Sequence, residues 1–102
     1  MLRKKFKIYL SQAALDDLHY LTEFYKKLMF RLAKNLIIEM NEAFGRLQTN
    51  PGTFAEGYNG KFGIITLRKY PVEIYYTIDQ HDIIVLSIEH KNQHPNKWID
   101  RV

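Results

Sequence analysis

The chain has no cysteine among its 102 residues, which excludes disulfide bonds and cysteine-based zinc sites. It also lacks any apolar run near the ~18 residues that a membrane-spanning helix needs. The basic N-terminus is followed only by the short apolar segment 8–10, which is too short for the apolar part of a signal peptide. We therefore expect a cytoplasmic protein that does not contact the membrane.

The length and composition are those of one folded domain. Hydrophobic residues make up 46% of the chain and aromatic residues 14%, enough to fill a core without disulfide bonds. No repeat or linker is visible, so residues 1–102 are expected to form a single domain. The net charge of +4, with a pI of about 9.3, favours acidic or polyanionic partners.

The first half of the sequence predicts a strand followed by two helices. Residues 4–10 alternate between apolar and mostly basic side chains, which predicts a strand whose lysines either protect a sheet edge or face a polyanion. We favour the edge. Ser11 is a typical N-cap, and Asp16-Asp17 and Lys26-Lys27 suit the two ends of the helix dipole.

The apolar stripe changes phase near Met29-Phe30, which predicts an antiparallel helical hairpin. The first stripe comprises Ala14, Leu18, Leu21, Tyr25 and Leu28, and the second Ala33, Leu36, Ile37, Met40, Phe44 and Leu47. Asn50-Pro51-Gly52 ends the second helix. The glycine-containing loop 53–63 has neither a G-x-G-x-x-G pattern nor Walker spacing, so it does not predict a phosphate site.

Three strands follow. Ile64, Ile65 and Leu67 predict the first. Residues 72–78 alternate, with Glu73, Tyr75 and Thr77 on the face toward water or a partner. A polar turn at 79–82 leads into the apolar run 83–88, which predicts a central strand. The order β-α-α-β-β-β, with a short C-terminal tail, predicts an α+β fold with the helical hairpin packed on a small, mainly antiparallel sheet.

Four motifs in this order resemble the RelE/ParE superfamily of bacterial toxins, and ParE-like members (plasmid stabilization system toxins) most. They are Ser11-x-x-Ala14-x-x-Asp17-Leu18, Leu47-x-x-Asn50-Pro51, Tyr70-Pro71-Val72-x-Ile74-Tyr75-Tyr76 and Ile84-Val85-Leu86-x-Ile88-x-His90-x-x-x-x-Pro95-x-x-Trp98. The resemblance implies a growth-inhibiting toxin neutralised by a cognate antitoxin whose flexible C-terminal part wraps it. ParE-like toxins inhibit DNA gyrase without being catalytic, whereas RelE-like toxins cut mRNA on the ribosome.

The chain departs from the family at several positions. Phe62-Gly63-Ile64 and Asn92-Gln93 stand where the family often carries arginines, and no tyrosine follows Tyr76. Three functions stay open: a gyrase inhibitor, which we favour, an mRNA endonuclease, and a member that only binds antitoxin. An endonuclease would use Arg68, Glu73 and His90 as cation, base and acid.

Binding of the target or the antitoxin is expected at seven residues: Lys61, Arg68, Lys69, Tyr75, His90, Lys91 and Trp98. Each has a plainer interpretation as well: a solvated rim for Arg68 and Lys69, or a hydrogen-bonded structural histidine for His90. We expect Phe24, Phe30 and Phe54 to form an exposed apolar surface through which the free toxin self-associates.

No metal or cofactor is expected. His90 and His94 have the i, i+4 spacing of a helical metal site, but Pro95 disfavours helical backbone at the residue before it.

Overall fold

Two successive helices pack on one face of a four-stranded sheet in the computed structural model, which describes residues 6–49 and 62–91. The elements are β1 (Lys7–Leu10), α1 (Gln12–Leu28), α2 (Phe30–Thr49), β2 (Phe62–Thr66), β3 (Val72–Asp79) and β4 (Asp82–His90). The strand order is β1-β4-β3-β2, with β1 parallel to β4 and the other pairs antiparallel. The predicted element order and mainly antiparallel sheet are confirmed.

The helical hairpin forms because one residue interrupts the helix. The Ser11 side chain caps α1 by accepting the Ala14 N–H at 3.1 Å. Met29 has an extended backbone (φ −167°, ψ 130°), so α1 ends there and α2 begins at the next residue. The predicted break near Met29-Phe30 is therefore confirmed. Neither helix is long and apolar enough to cross a membrane.

Two predicted core positions are wrong. Leu28, the last residue of α1, is exposed. Ile37 is also exposed, since the buried face of α2 runs through Leu36, Glu39 and Met40. Glu39, a polar residue that is not a member of the second apolar stripe, is thus buried on the inner face of α2.

The core lies between the hairpin and the sheet. Its completely buried members come from both helices and from the two central strands: Ala14, Leu36, Ala43, Leu47, Val72, Ile74, Ile83 and Val85. The sheet order places β4 between β1 and β3, which confirms the central strand expected from the apolar run. β1 is an edge strand with Lys7 exposed, as the favoured interpretation of its lysines requires.

A β-bulge shifts the register between β3 and β4. Tyr75 pairs with Ser87, but the next residue, Tyr76, pairs with Val85, which leaves Leu86 as the extra residue. The bulge reverses the alternation along β4, so that Val85 before it and Ile88 after it both belong to the core. A strict period of two could not produce this pattern.

Asp17 takes over the edge of β4 where β1 ends. The pairing of β1 stops at Leu10 opposite Val85. Beyond that point the Asp17 carboxylate accepts the Ile88 N–H at 3.1 Å, and the Ser87 hydroxyl lies within hydrogen-bond distance of both Asp17 (3.2 Å) and Glu89 (2.8 Å). Asp17 is only 7% exposed, and the first turn of α1 contains no acidic residue. The expected role of Asp17 at the helix dipole is therefore wrong, because its carboxylate serves the sheet.

Gly63 provides a first test of the packing. It pairs with Tyr76, and a Cβ at Gly63 would lie 2.2 Å from the buried Tyr76 Cζ. We expect Gly63→Ala to lower the free energy of unfolding by about 1–3 kcal/mol, measured by urea denaturation, because the ring must move. Gly45→Ala is the control. A Cβ there meets nothing within 4 Å, and alanine favours the helix, so that variant should gain up to about 1 kcal/mol. Equal effects at the two glycines would contradict this account.

Alkaline unfolding provides a second test. Burial raises the pKa of Tyr76 from 10.0 to about 12. The folded state therefore favours the neutral phenol, and this stabilisation is fully present below pH 10 and lost as the pH rises toward 12. We expect Tyr76→Phe to reduce the fall of the free energy of unfolding above pH 10 by up to about 1.4 kcal/mol per pH unit. Tyr9→Phe, at an exposed position, is the control. An unchanged alkaline slope in Tyr76→Phe would count against the assignment.

Candidate functional site

The β2–β3 loop, residues 67–71, presents Arg68 and Lys69 at the surface. Its backbone is held by Glu39 of α2, whose carboxylate accepts the N–H groups of both residues. The Lys69 backbone nitrogen lies 3.2 Å from each oxygen of the Glu39 carboxylate. Glu39 is only 8% exposed, and these bonds compensate the cost of burying its charge.

Tyr70 holds the same loop from its other side. Its hydroxyl donates to the Leu32 carbonyl oxygen of α2 at 2.6 Å, and its ring meets the Tyr25 ring edge to face with centroids 5.1 Å apart. Burial, with smaller contributions from Tyr25 and Glu39, raises the pKa of the Tyr70 phenol, which therefore remains a donor at neutral pH. Both helices thus contact the loop that carries the two cations.

An open groove of about 360 Å³ separates this loop from α2. We call it the α2 groove, and it is lined by Asn35, Ile38, Glu39, Glu42, Arg46, Arg68 and Lys69. A second depression, of about 340 Å³, adjoins it and shares Asn35 and Lys69 with it. The described lining residues thus include three cations, Arg46, Arg68 and Lys69, and two carboxylates, Glu39 and Glu42. The Glu39 carboxylate already bonds the loop backbone.

Glu73 and His90, which the endonuclease alternative would use as base and acid, lie on opposite faces of the sheet. Glu73 alternates with the core residues Val72 and Ile74, which places it on the face away from the helices, and Tyr75 donates to its Oε1 at 2.9 Å. Burial raises the pKa of the Tyr75 phenol, with smaller contributions from Glu73 and Glu89. Tyr75 itself is only 5% exposed, so its predicted place on a wet face is wrong.

His90 faces the helices. It pairs with the core residue Val72, and its side chain lines a small cavity of about 40 Å³ with Tyr20, Leu21 and Phe24 of α1. Its Nδ1 atom is buried and has no hydrogen-bond partner in the part of the chain that the structure describes. The expectation that His90 is a hydrogen-bonded structural histidine is therefore wrong for its Nδ1 atom.

The remaining predicted residues divide into two groups. Lys91 is exposed and directly follows the end of β4 at His90. Its backbone N–H donates to the Pro71 carbonyl oxygen at 2.7 Å. Lys61, Trp98 and Phe54 lie outside the described residues. Within residues 6–49 and 62–91, no three His, Asp or Glu side chains are grouped as a metal site would require.

The end of the helical hairpin is a surface that the sequence indicated only in part. Leu28, Met29 and Phe30 are 62%, 56% and 69% exposed, and we call residues 26–34 around them the hairpin tip. Phe24 and Phe30, predicted to be exposed, are exposed. The tip carries Lys26, Lys27, Arg31 and Lys34, and no acidic residue occurs between positions 24 and 38. In the sequence, the three consecutive apolar residues Leu28-Met29-Phe30 at the helix break were the signal that could have revealed this surface.

Comparison with known proteins agrees with this fold. The family model described as the ParE toxin of the type II toxin-antitoxin system parDE matches residues 8–95. A search of curated protein sequences finds no match.

Three solved structures share the architecture. A chromosomal ParDE system from P. aeruginosa has a TM-score of 0.73 at 19% identity, covering 83% of this chain and 95% of that one. A mutant of E. coli toxin RelE in the free state has a TM-score of 0.64 at 14% identity, covering 95% and 93%. The RelBE2 toxin–antitoxin complex from Mycobacterium tuberculosis has a TM-score of 0.57 at 20% identity, covering 87% and 94%.

At these identities the structural matches show the fold, whereas the family match covers most of the sequence. The chain therefore belongs to the ParE toxin family of type II toxin–antitoxin systems.

Proposed function

We propose that this toxin arrests growth by binding DNA gyrase, that it does not cut mRNA, and that a cognate antitoxin neutralises it. The observation that carries the choice of target is the placement of Glu73 and His90 on opposite faces of the sheet. The family match supports the toxin class and the antitoxin partner.

Cleavage of RNA requires an acid, a base and a cation within hydrogen-bond reach of one phosphate. The sheet backbone separates Glu73 from His90, and Arg68 is in the loop that Glu39 holds against α2. Glu73 is also paired across the strands with the buried Glu89, and a carboxylate beside Glu73 disfavours the approach of a phosphate to it. This arrangement favours protein binding over phosphate chemistry.

The hairpin tip has the character expected of an antitoxin-binding surface. Three consecutive apolar side chains are exposed there beside four cations, and a disordered, acidic and amphipathic segment complements both features. Exposed apolar groups of this kind favour association, so the tip also accounts for the expected self-association of the free toxin.

The first prediction concerns the target. We expect Glu73→Gln and His90→Gln to fold and to remain toxic when induced without antitoxin, because neither side chain performs chemistry. Pulse-labelling of the same cultures should show DNA synthesis failing before protein synthesis. Purified unaltered chain should inhibit supercoiling by gyrase and leave mRNA on translating ribosomes intact. Loss of toxicity in either folded variant, together with earlier failure of protein synthesis, would establish the endonuclease instead.

The second prediction concerns the hairpin tip. The double variant Leu28→Ser/Phe30→Ser should bind the antitoxin encoded beside the toxin gene at least ~10-fold more weakly, measured by titration calorimetry, because it removes exposed apolar anchors. Its free energy of unfolding should change by no more than about 0.5 kcal/mol. Ile78→Ser, which changes a comparably exposed side chain on β3, is the matched control and should bind normally. Equal affinities for both variants would place the antitoxin elsewhere.

A further inference from the structure

We propose that the α2 groove binds an acidic segment of the toxin's target protein, and that Glu39 is the positioning residue that builds this groove. The inference rests on the proposed function, because it names the surface that recognises that target. It begins from the bonds between Glu39 and the backbone of the β2–β3 loop.

Glu39 acts on the groove through the loop backbone. Its carboxylate accepts two successive N–H groups, those of Arg68 and Lys69, so the loop is held close to α2 while both cationic side chains remain exposed. A buried carboxylate with these partners restricts the loop to one arrangement and leaves its cations prepared for a ligand. Glu39 itself is nearly inaccessible, so its effect on binding must be indirect.

The groove has the dimensions of a short extended peptide. Leu32, Asn35, Glu39, Glu42 and Arg46 recur every three or four residues along one side of α2, and all line the groove or the depression that adjoins it. Along the α2 groove itself, from Asn35 to Arg46, the helix rises about 17 Å, which corresponds to roughly five residues of extended chain.

The charge of the groove selects an acidic occupant. Arg46, Arg68 and Lys69 contribute three positive charges, and the Glu39 carboxylate is directed to the loop backbone. Glu42 is the one exposed carboxylate among the lining residues in the described ranges 6–49 and 62–91, and it opposes an acidic ligand. The hairpin tip of a second copy is disfavoured in the groove, because the four cations of the tip would meet the three cations of the groove.

The polar character of the groove favours the target over the antitoxin. Among the described residues that line the α2 groove, Ile38 alone is apolar, whereas the hairpin tip exposes three consecutive apolar residues. Permanent interfaces are more hydrophobic than transient ones, and charged rims chiefly accelerate and orient encounters. The tip therefore suits the lasting antitoxin complex, and the groove suits a charge-steered encounter with the target.

The test compares two carboxylates that line the α2 groove: Glu39, which bonds the loop backbone, and Glu42, which is exposed. Glu39→Gln and Glu42→Gln each remove one negative charge from the groove, and charge alone would tighten the binding of an acidic segment in both. We expect Glu42→Gln to bind immobilised gyrase ~2–3-fold more tightly at low salt, and Glu39→Gln to bind it at least ~5-fold more weakly. Amide hydrogen exchange at Arg68 and Lys69 should accelerate in Glu39→Gln alone.

A second set of variants leaves the loop anchor untouched. Lys69→Glu and Arg46→Glu should each weaken gyrase binding ~10-fold at low salt, with the difference shrinking as salt is added. Lys7→Glu makes the same change of charge on β1, at the opposite edge of the sheet from β2, and should bind within ~2-fold of the unaltered chain. Lys69 and Lys7 are exposed and Arg46 is half-buried, so these variants keep the test valid if Glu39→Gln does not fold.

The outcomes separate the inference from the function on which it rests. If the unaltered chain does not bind gyrase, the proposed function fails and the inference fails with it. If gyrase binds but Lys69→Glu and Arg46→Glu bind like Lys7→Glu, the groove inference alone is wrong. Weakened antitoxin binding with unchanged gyrase binding would assign the groove to the antitoxin. Tighter binding by Glu39→Gln would show that Glu39 acts only through its charge.

Discussion

Each helix of the hairpin is tied to the sheet by one buried carboxylate that accepts backbone N–H groups. Asp17 of α1 bonds the backbone of β4 at Ile88, and Glu39 of α2 bonds the loop after β2. Burying a carboxylate without partners costs far more than a hydrogen bond returns, so each site is stable only when helix and backbone have the correct relative position. The two contacts thereby fix where the helices lie on the sheet.

These ties have different consequences for function. Asp17 completes the hydrogen bonding of a strand edge, which is a structural task in the interior. Glu39 performs the same chemistry at a loop that carries exposed cations, so its bonds determine what the surface presents. The same interaction thus serves stability in one helix and organises a candidate binding surface in the other.

The sheet also separates residues that the sequence placed together. Glu73 and His90 were the base and the acid of the endonuclease alternative, yet the alternation of β3 and the bulge in β4 direct them to different faces. The surfaces that remain are the basic, apolar hairpin tip and the polar, cationic α2 groove. The separation of Glu73 from His90 is the observation that supports our proposal of protein binding over phosphate chemistry.

The sequence by itself determined the order of the elements, the hairpin, the central strand and the family, because these depend on periodicity, capping and local motifs. The Ser11 cap and the phase change at Met29 are local signals of this kind. Only the tertiary structure decided the roles of Asp17 and Glu39, since their partners lie 71 and about 30 residues away in the chain.

The bulge at Leu86 likewise depends on pairing between strands, so a period of two in β4 alone could not place His90 on the face toward the helices. A buried polar residue looks like a break in an apolar stripe until its distant partner is known. For that reason the sequence did not reveal Glu39, which contacts the candidate site through the backbone of the β2–β3 loop.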